Sequence, residues 1–254
     1  MMLRRELEEA AVAKGLPLRN AEKDYLLDTC LLVLSRYGKT LVFKGGTALY
    51  KFHGLNRFSE DLDLVLDKRR FDPEELRDRI MRAAQSLGIG SVPGRFERYP
   101  REVNMDFQFR GPLYDGRRES LVRVALNLSL RERPASAEAL FYSSPYREIP
   151  AFEIHVMSAP EMLAEKVRAV MTRNKPRDVY DIWFLTRKGI VPGRAMVDKK
   201  LRIYGLKYTP AGFLSAIEEK RGIWAKDLRG LLLGRLPEFG TVFQDLKKEA
   251  GRWG

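Results

Sequence analysis

The sequence predicts an α+β protein, with a mixed-sheet core over residues 1–157 followed by a helical domain over residues 158–254. Two observations support this division. Before residue 157, helical patterns alternate with short apolar runs that have the two-residue period of strands. After that point only helical patterns occur, and the chain contains no internal repeat and no low-complexity segment.

Helices and strands alternate in the first part of the core. The predicted elements are a helix over 20–37 capped by Asn20, a strand over 41–43, a helix over 47–52, a strand over 62–66 and a helix over 73–87. Turn or cap residues bound several of them, including Gly38, Gly54 and Gly88.

Strand-like runs complete the core, and helices follow them. Runs over 103–109 and 121–130 flank a segment rich in glycine and proline, which predicts a hairpin with a long loop. A further strand is predicted over 152–156. The helices of the second part are predicted over 158–173, 177–187, 210–219 and 241–250.

Composition restricts the class of protein. The chain has 254 residues, of which 44% are hydrophobic, so it can bury a substantial core. Cys30 is its only cysteine, which excludes an intramolecular disulfide and a cysteine metal cluster. No apolar run reaches 18 residues and the N-terminus is charged, so we expect a cytoplasmic protein without a membrane span or signal peptide.

The net charge of +12 favours polyanionic partners such as RNA, DNA or nucleotides. A basic surface that only keeps the protein in solution is the alternative, because charge alone defines no geometry. The basic clusters at 68–70 and at Arg117 and Arg118 are candidate contacts for nucleic-acid phosphates, and solvated surface is their alternative.

A glycine pair after the strand over 41–43 is the first candidate for binding chemistry. Gly45 and Gly46 lack side chains, so their backbone can approach a phosphate closely. The helix that follows presents free N–H groups to an anion, and Thr47 adds a hydroxyl. Most such glycine pairs are only turns, so this feature needs a second one.

Two carboxylates on the next strand supply that second feature. Asp61 and Asp63 share one face with Cα atoms about 6.5 Å apart, while Leu62, Leu64 and Leu66 are expected in the core. Both carboxylates can reach one Mg²⁺ or bridge two. An edge strand with its acids facing water is the alternative.

Two residues just before this strand are further candidates. Arg57 is predicted to hold a triphosphate bidentately, with a surface ion pair to Glu60 as the alternative. Ser59 shares the face of the two aspartates if the strand already begins there, and otherwise it is a turn residue.

The second part of the chain places charges on apolar helix faces. Lys166 lies in the middle of an apolar stripe and therefore needs a carboxylate or a bound phosphate as its partner, unless it reaches the surface. Asp178 and Asp181 share a face of the next helix. Their alternatives are a helix cap for Asp178 and a structural arginine partner for Asp181.

These segments together resemble a known family. The strings at 45–49, 57–63 and 177–182, with Lys166 between the last two, are similar to the successive motifs of AbiEii/MenT-type nucleotidyltransferases. The resemblance runs from about residue 20 to the end. It implies the DNA polymerase beta-like fold, namely a mixed-sheet nucleotidyltransferase core followed by a C-terminal helical bundle.

The resemblance also implies a function. Members are toxins of toxin–antitoxin or phage-defence systems, and some attach nucleotides to the 3′ end of tRNA. We therefore expect a Mg²⁺-dependent enzyme with an NTP, an RNA and a cognate antitoxin as partners. The expected catalytic residues are Ser59, Asp61, Asp63, Lys166 and Asp181, with Asp61 and Asp63 binding the metal. The expected nucleotide-binding residues are Gly45, Gly46, Thr47, Arg57, Lys166 and Asp178.

The sequence departs from the wider superfamily at two points. Thr47 stands where serine is usual, which keeps the hydroxyl. A third carboxylate is often found on a later central strand, but the run over 123–129 has none, and Asp106 alternates with polar residues as an outward face would. Two other functions stay open: transfer of a nucleoside monophosphate to a protein, and a catalytically silent module that binds RNA or antitoxin.

Overall fold

A seven-stranded mixed sheet carries the first part of the chain in the computed structural model, which describes residues 2–67 and 71–253. The chain divides into two compact units. Unit 1 comprises the chain up to Phe52 together with Ser59–Met157, and unit 2 comprises His53–Phe58 together with the chain from Ser158 onward. The predicted α+β class is confirmed.

The strands of the sheet lie in the order β3-β4-β5-β2-β1-β7-β6. Their bounds are β1 Leu41–Lys44, β2 Asp61–Leu66, β3 Gly90–Tyr99, β4 Glu102–Arg110, β5 Val122–Ser129, β6 Ala137–Tyr142 and β7 Phe152–Met157. The pairs β2–β5 and β1–β7 are parallel, and the remaining neighbours are antiparallel. The predicted hairpin over 103–130 is the β4–β5 pair.

In the part of the chain that the structure describes, four α-helices accompany the sheet. They are α1 Arg4–Lys14, α2 Leu18–Ser35, α3 Gly45–His53 and α4 Pro73–Ser86. α2 contacts β5 and β7, and α4 contacts β3 and β4. In β4 the alternate residues Val103, Met105, Phe107 and Phe109 are buried, so α2 and α4 cover the apolar face of the sheet.

Two helix starts differ from the prediction. α2 begins at Leu18, directly after Pro17, so Asn20 lies inside the helix and does not cap it. α3 begins at Gly45 and not at residue 47, because Gly45 has a φ of +81° that lets the chain turn from β1 straight into the helix.

A buried network of charges joins α2 to α3. The Lys51 ammonium lies 2.5 Å from one carboxylate oxygen of Asp24 and 2.5 Å from one of Asp28. The hydroxyls of Tyr142 and Ser144 donate to Asp28 as well. A buried cation is tolerated here because two carboxylates compensate it. Cys30, on the same helix α2, is fully buried, and this burial raises the pKa of its thiol.

Helices make up most of unit 2. They are α5 Ala159–Thr172, α6 Pro176–Arg187, α7 Arg194–Arg202, α8 Pro210–Glu218, α9 Trp224–Leu228 and α10 Phe239–Ala250. Their buried faces carry Ile182, Phe213, Val242 and Leu246. Within the described part of the chain, no helix is both long and apolar enough to cross a membrane.

Candidate active site

In unit 1 the glycine turn and the strand carboxylates lie next to each other. Lys44, the last residue of β1, lies opposite Asp63 in the register of the antiparallel β1–β2 pair. A Cβ atom at Gly45 would lie only 2.4 Å from Oδ2 of Asp63, so the carboxylate occupies the space that a side chain there would need. Asp63 therefore packs against the first residue of α3, where the helix N-terminus favours negative charge.

Thr47 connects this turn to the start of β2. Its buried hydroxyl donates to the backbone carbonyl of Asp61 at 2.6 Å, and it lies 3.0 Å from the hydroxyl of Ser59. A hydroxyl carries one proton, so Ser59 is the donor in the second contact. Thr47 thus holds the strand that carries the aspartates.

Asp61 and Asp63 lie on one face of β2, as expected. Both are half-buried, whereas Leu62 and Leu64 between them are fully buried. Leu66 was expected in the core but is half-buried at the end of the strand, and Val65, on the opposite face, is fully buried. Unit 1 therefore brings together Gly45, Gly46, Thr47, Ser59, Asp61 and Asp63.

Asn127 is an addition that sequence reasoning missed. It lies opposite Asp63 on β5, and its amide donates to Oδ1 of Asp63 at 3.2 Å. It occupies the strand position where a third carboxylate was sought, so it orients Asp63 without adding charge. Its place on the polar face of an alternating strand was the only signal in the sequence.

Asp106 is on the same sheet face but has its own partner. It lies opposite Ala125 on β5, which in turn lies opposite Asp61. Arg123 donates to Asp106 at 2.8 Å. Asp106 is buried, where the alternation predicted a polar outer face, and this ion pair explains how its charge is tolerated.

In unit 2, Lys166 finds carboxylate partners. Its ammonium lies 2.9 Å from Asp178 and 2.6 Å from Asp181. Burial opposes its charge, but the two carboxylates outweigh burial and raise the pKa of Lys166 above its ordinary value. The sequence called for either a carboxylate or a bound phosphate as the partner of Lys166, and the protein itself supplies carboxylates.

Asp178 accepts a second cation. Arg173 donates to it through Nε at 2.7 Å and through Nη2 at 2.9 Å. Burial disfavours the ionised carboxylate, yet Lys166 and Arg173 together hold the pKa of Asp178 well below its usual range. The cap of α6 is Lys175, so Asp178 is an ion-pair partner and not the helix cap.

Arg57 also has a partner inside the protein. Its Nε and Nη2 donate to the two oxygens of Asp181 at 2.6 and 2.7 Å, and Nη1 donates to the carbonyl of Phe58. The neighbour Glu60 pairs with Lys23 instead, so the alternative of an Arg57–Glu60 pair is wrong. The fork expected to hold a triphosphate is thus occupied by a carboxylate.

Five charged side chains of unit 2 form one chain of contacts. Arg57, Asp181, Lys166, Asp178 and Arg173 alternate in sign along successive contacts. Arg57 and Lys166 share Asp181, and Lys166 and Arg173 share Asp178, so each carboxylate binds two cations.

The family model described as "Nucleotidyl transferase AbiEii toxin, Type IV TA system" matches residues 25–245. The chain belongs to the AbiEii nucleotidyltransferase toxin family. No curated protein matches the sequence.

Solved structures share the fold of this AbiEii family member. MenT4, a nucleotidyltransferase toxin from Mycobacterium tuberculosis, is 18% identical with a TM-score of 0.66, covering 100% of this chain and 93% of its own. A protein from H. pylori proposed to be a nucleotidyltransferase is 19% identical with a TM-score of 0.62, covering 94% and 96%. JHP933 from Helicobacter pylori is 19% identical with a TM-score of 0.55, covering 92% and 94%.

Of the two basic clusters predicted to contact nucleic-acid phosphates, the structure of this AbiEii protein describes one. Residues 68–70 lie outside the described part of the chain. Arg117 and Arg118 are exposed, and Arg117 donates to Asp115 at 2.5 Å. The positive charge of Arg117 is therefore already compensated by the Asp115 carboxylate.

Proposed function

We propose that this toxin transfers a nucleoside monophosphate from an NTP to the 3′ end of RNA, with tRNA as the acceptor. The 3′ hydroxyl attacks the α-phosphate and pyrophosphate leaves. The proposal rests on one observation: the Asp63 carboxylate packs closely against Gly45, and Asp61 lies on the same face of β2. The Asp63 carboxylate thus lies beside a helix N-terminus suited to phosphate, which supports this proposal.

The two carboxylates fit a divalent ion that is shared with a nucleotide. Among the described residues, no cluster of three or more His, Cys, Asp or Glu could hold a metal ion. Mg²⁺ is commonly bound by one or two carboxylates and completed by substrate phosphates, so Asp61 and Asp63 suit it. Bound Mg²⁺ would neutralise phosphate charge and stabilise the attacking and leaving oxygens.

We propose roles for the remaining candidate residues as well. The backbone of Gly45 and Gly46 faces phosphate, and Ser59 stands beside the carboxylates. In unit 2, Lys166 and Asp178 are proposed to contribute to nucleotide binding and Asp181 to the acidic site. A cognate antitoxin protein is proposed as the regulating partner in the cytoplasm, because the family description names a toxin–antitoxin system.

A labelling assay tests this function. The protein is incubated with each NTP carrying ³²P at the α-phosphate, with Mg²⁺ and with total tRNA. Label on RNA is the expected result. Label on the protein would favour modification of proteins, and RNA binding without any label would favour a catalytically silent module.

Asp61→Asn is expected to lower transfer at least about 100-fold, because an amide removes the charge that the ion and phosphates need. Rates are measured with the labelled NTP, and circular dichroism checks the fold. Asp67→Asn, one residue beyond the opposite end of β2, is the matched control and should keep activity. Transfer that survives in the Asp61 variant would contradict the site.

A further inference from the structure

The short segment His53–Phe58, which leads from the last residue of α3 toward β2, belongs to unit 2. The Phe58 amide donates to the carbonyl of Leu231 at 2.7 Å, and the Leu233 amide donates to the carbonyl of Asn56 at 3.3 Å. Arg57 and Leu232 form an isolated antiparallel bridge. Backbone bonds therefore fix this connection on both sides of Arg57.

The side chain of Arg57 adds a directional bond. Its guanidinium binds Asp181 through two parallel bonds and reaches the carbonyl of Phe58 at 3.1 Å. Arg57 is only 3% exposed. A phosphate that used the same fork would have to displace Asp181 and leave that buried carboxylate with Lys166 alone.

We propose that Arg57 is a positioning residue, and that its pair with Asp181 sets the backbone from which Ser59 and Asp61 start. Ser59 follows Phe58 directly in the chain, and its hydroxyl lies 3.0 Å from Thr47. A planar fork fixes both the distance and the orientation of its partner, which a lysine ammonium cannot do. The two-point bond thus acts on the residues that precede the first carboxylate.

This inference deepens the proposed function and rests on it for its kinetic readout. Arg57→Lys keeps the charge and removes the fork. We expect kcat to fall about 100-fold, the effect of a displacement of about 1 Å at a reacting group. The dissociation constant for NTP, measured by calorimetry, should stay unchanged. An arginine that gripped the triphosphate would instead weaken NTP binding.

Hydrogen exchange gives a readout that is independent of transfer. In Arg57→Lys the Phe58 amide and its neighbours up to Asp61 should exchange faster, while the buried strand β5 should exchange as in the wild type. If the wild type transfers no nucleotide, the proposed function fails, and exchange at Phe58 still decides the positioning role.

Glu161→Gln is the matched control, because Glu161 is a buried carboxylate of unit 2 that accepts from Lys200 at 2.7 Å. It should lower the melting temperature without lowering kcat per folded molecule. The inference is overturned if Arg57→Lys keeps full kcat, if it weakens NTP binding, or if exchange at Phe58 does not change.

Discussion

The carboxylate of Asp63 fills the space that a side chain at residue 45 would need. This single contact joins the two features that the sequence offered separately, a glycine turn and an acidic strand. The alternation of Asp61 and Asp63 with buried leucines was predictable, because a strand period is visible in the sequence. The Asn127 contact was not, because strand register is set by tertiary pairing.

Gly45→Ala is expected to destabilise the protein and reduce transfer. Alanine disfavours a φ of +81°, and its Cβ would press on Asp63. The backbone cost alone is about 1 to 3 kcal/mol. Urea unfolding measures the stability, and the labelled NTP measures transfer.

Gly189→Ala separates the two causes. Gly189 has a φ of +75° but nothing within 4 Å of its added Cβ. It should show the backbone cost without the loss of transfer. Equal loss of transfer in both variants would mean that the Asp63 contact does not matter for the reaction.

At the scale of elements, most helices and strands followed from local patterns, but edge elements did not. β3 was not predicted, since Pro93 and Gly94 interrupt it, yet it pairs with β4 around a bulge between Pro93 and Phe96. β6, α1, α7 and α9 were also missed. The patterns of β6 and α1 are weak because most of their residues stay exposed at the surface.

Ion pairs between Lys166 and two aspartates join α5 to α6, so the free energy of unfolding should depend on pH. The pKa of Asp178 lies below its unfolded value of about 3.9, so this carboxylate stabilises the fold above that pH. The contribution is lost as the pH falls toward the folded pKa. Lys166 acts in the opposite range, since its raised pKa keeps its contribution below about pH 10.4.

Asp178→Asn should therefore be about 3 kcal/mol less stable than the wild type at pH 7, because Lys166 and Arg173 lose a buried partner. The difference should be smaller at pH 3, because the unfolded chain then binds a proton at this carboxylate while the folded protein still keeps the ionised pair. Urea unfolding at both values measures it. A difference that is the same at pH 3 and pH 7 would contradict this assignment.

At the scale of the whole molecule, long-range partners limit what sequence can predict. Arg57 and Asp181 are 124 positions apart, so no local pattern could pair them. The family motifs marked both residues as functional, yet only coordinates reveal that they bind each other. Similarly, Lys166 was expected to need an anion, and the structure supplies two carboxylates.

The net charge of +12 predicts salt-sensitive binding of the proposed tRNA acceptor. Each phosphate contact releases a condensed counterion, so about six contacts would weaken binding about 1,000-fold between 50 and 200 mM salt. Fluorescence anisotropy with labelled tRNA measures the slope. Affinity that does not change with salt would exclude a backbone-dominated RNA surface.

The burial of Cys30 has a practical consequence. The thiol is inaccessible and its pKa is raised, so thiol reagents should not react with the native protein. They should react only when α2 locally unfolds. Because the chain has one cysteine, its modification rate reports the opening of this helix without any added probe. A cysteine introduced at the surface could likewise be labelled alone, leaving the interior untouched.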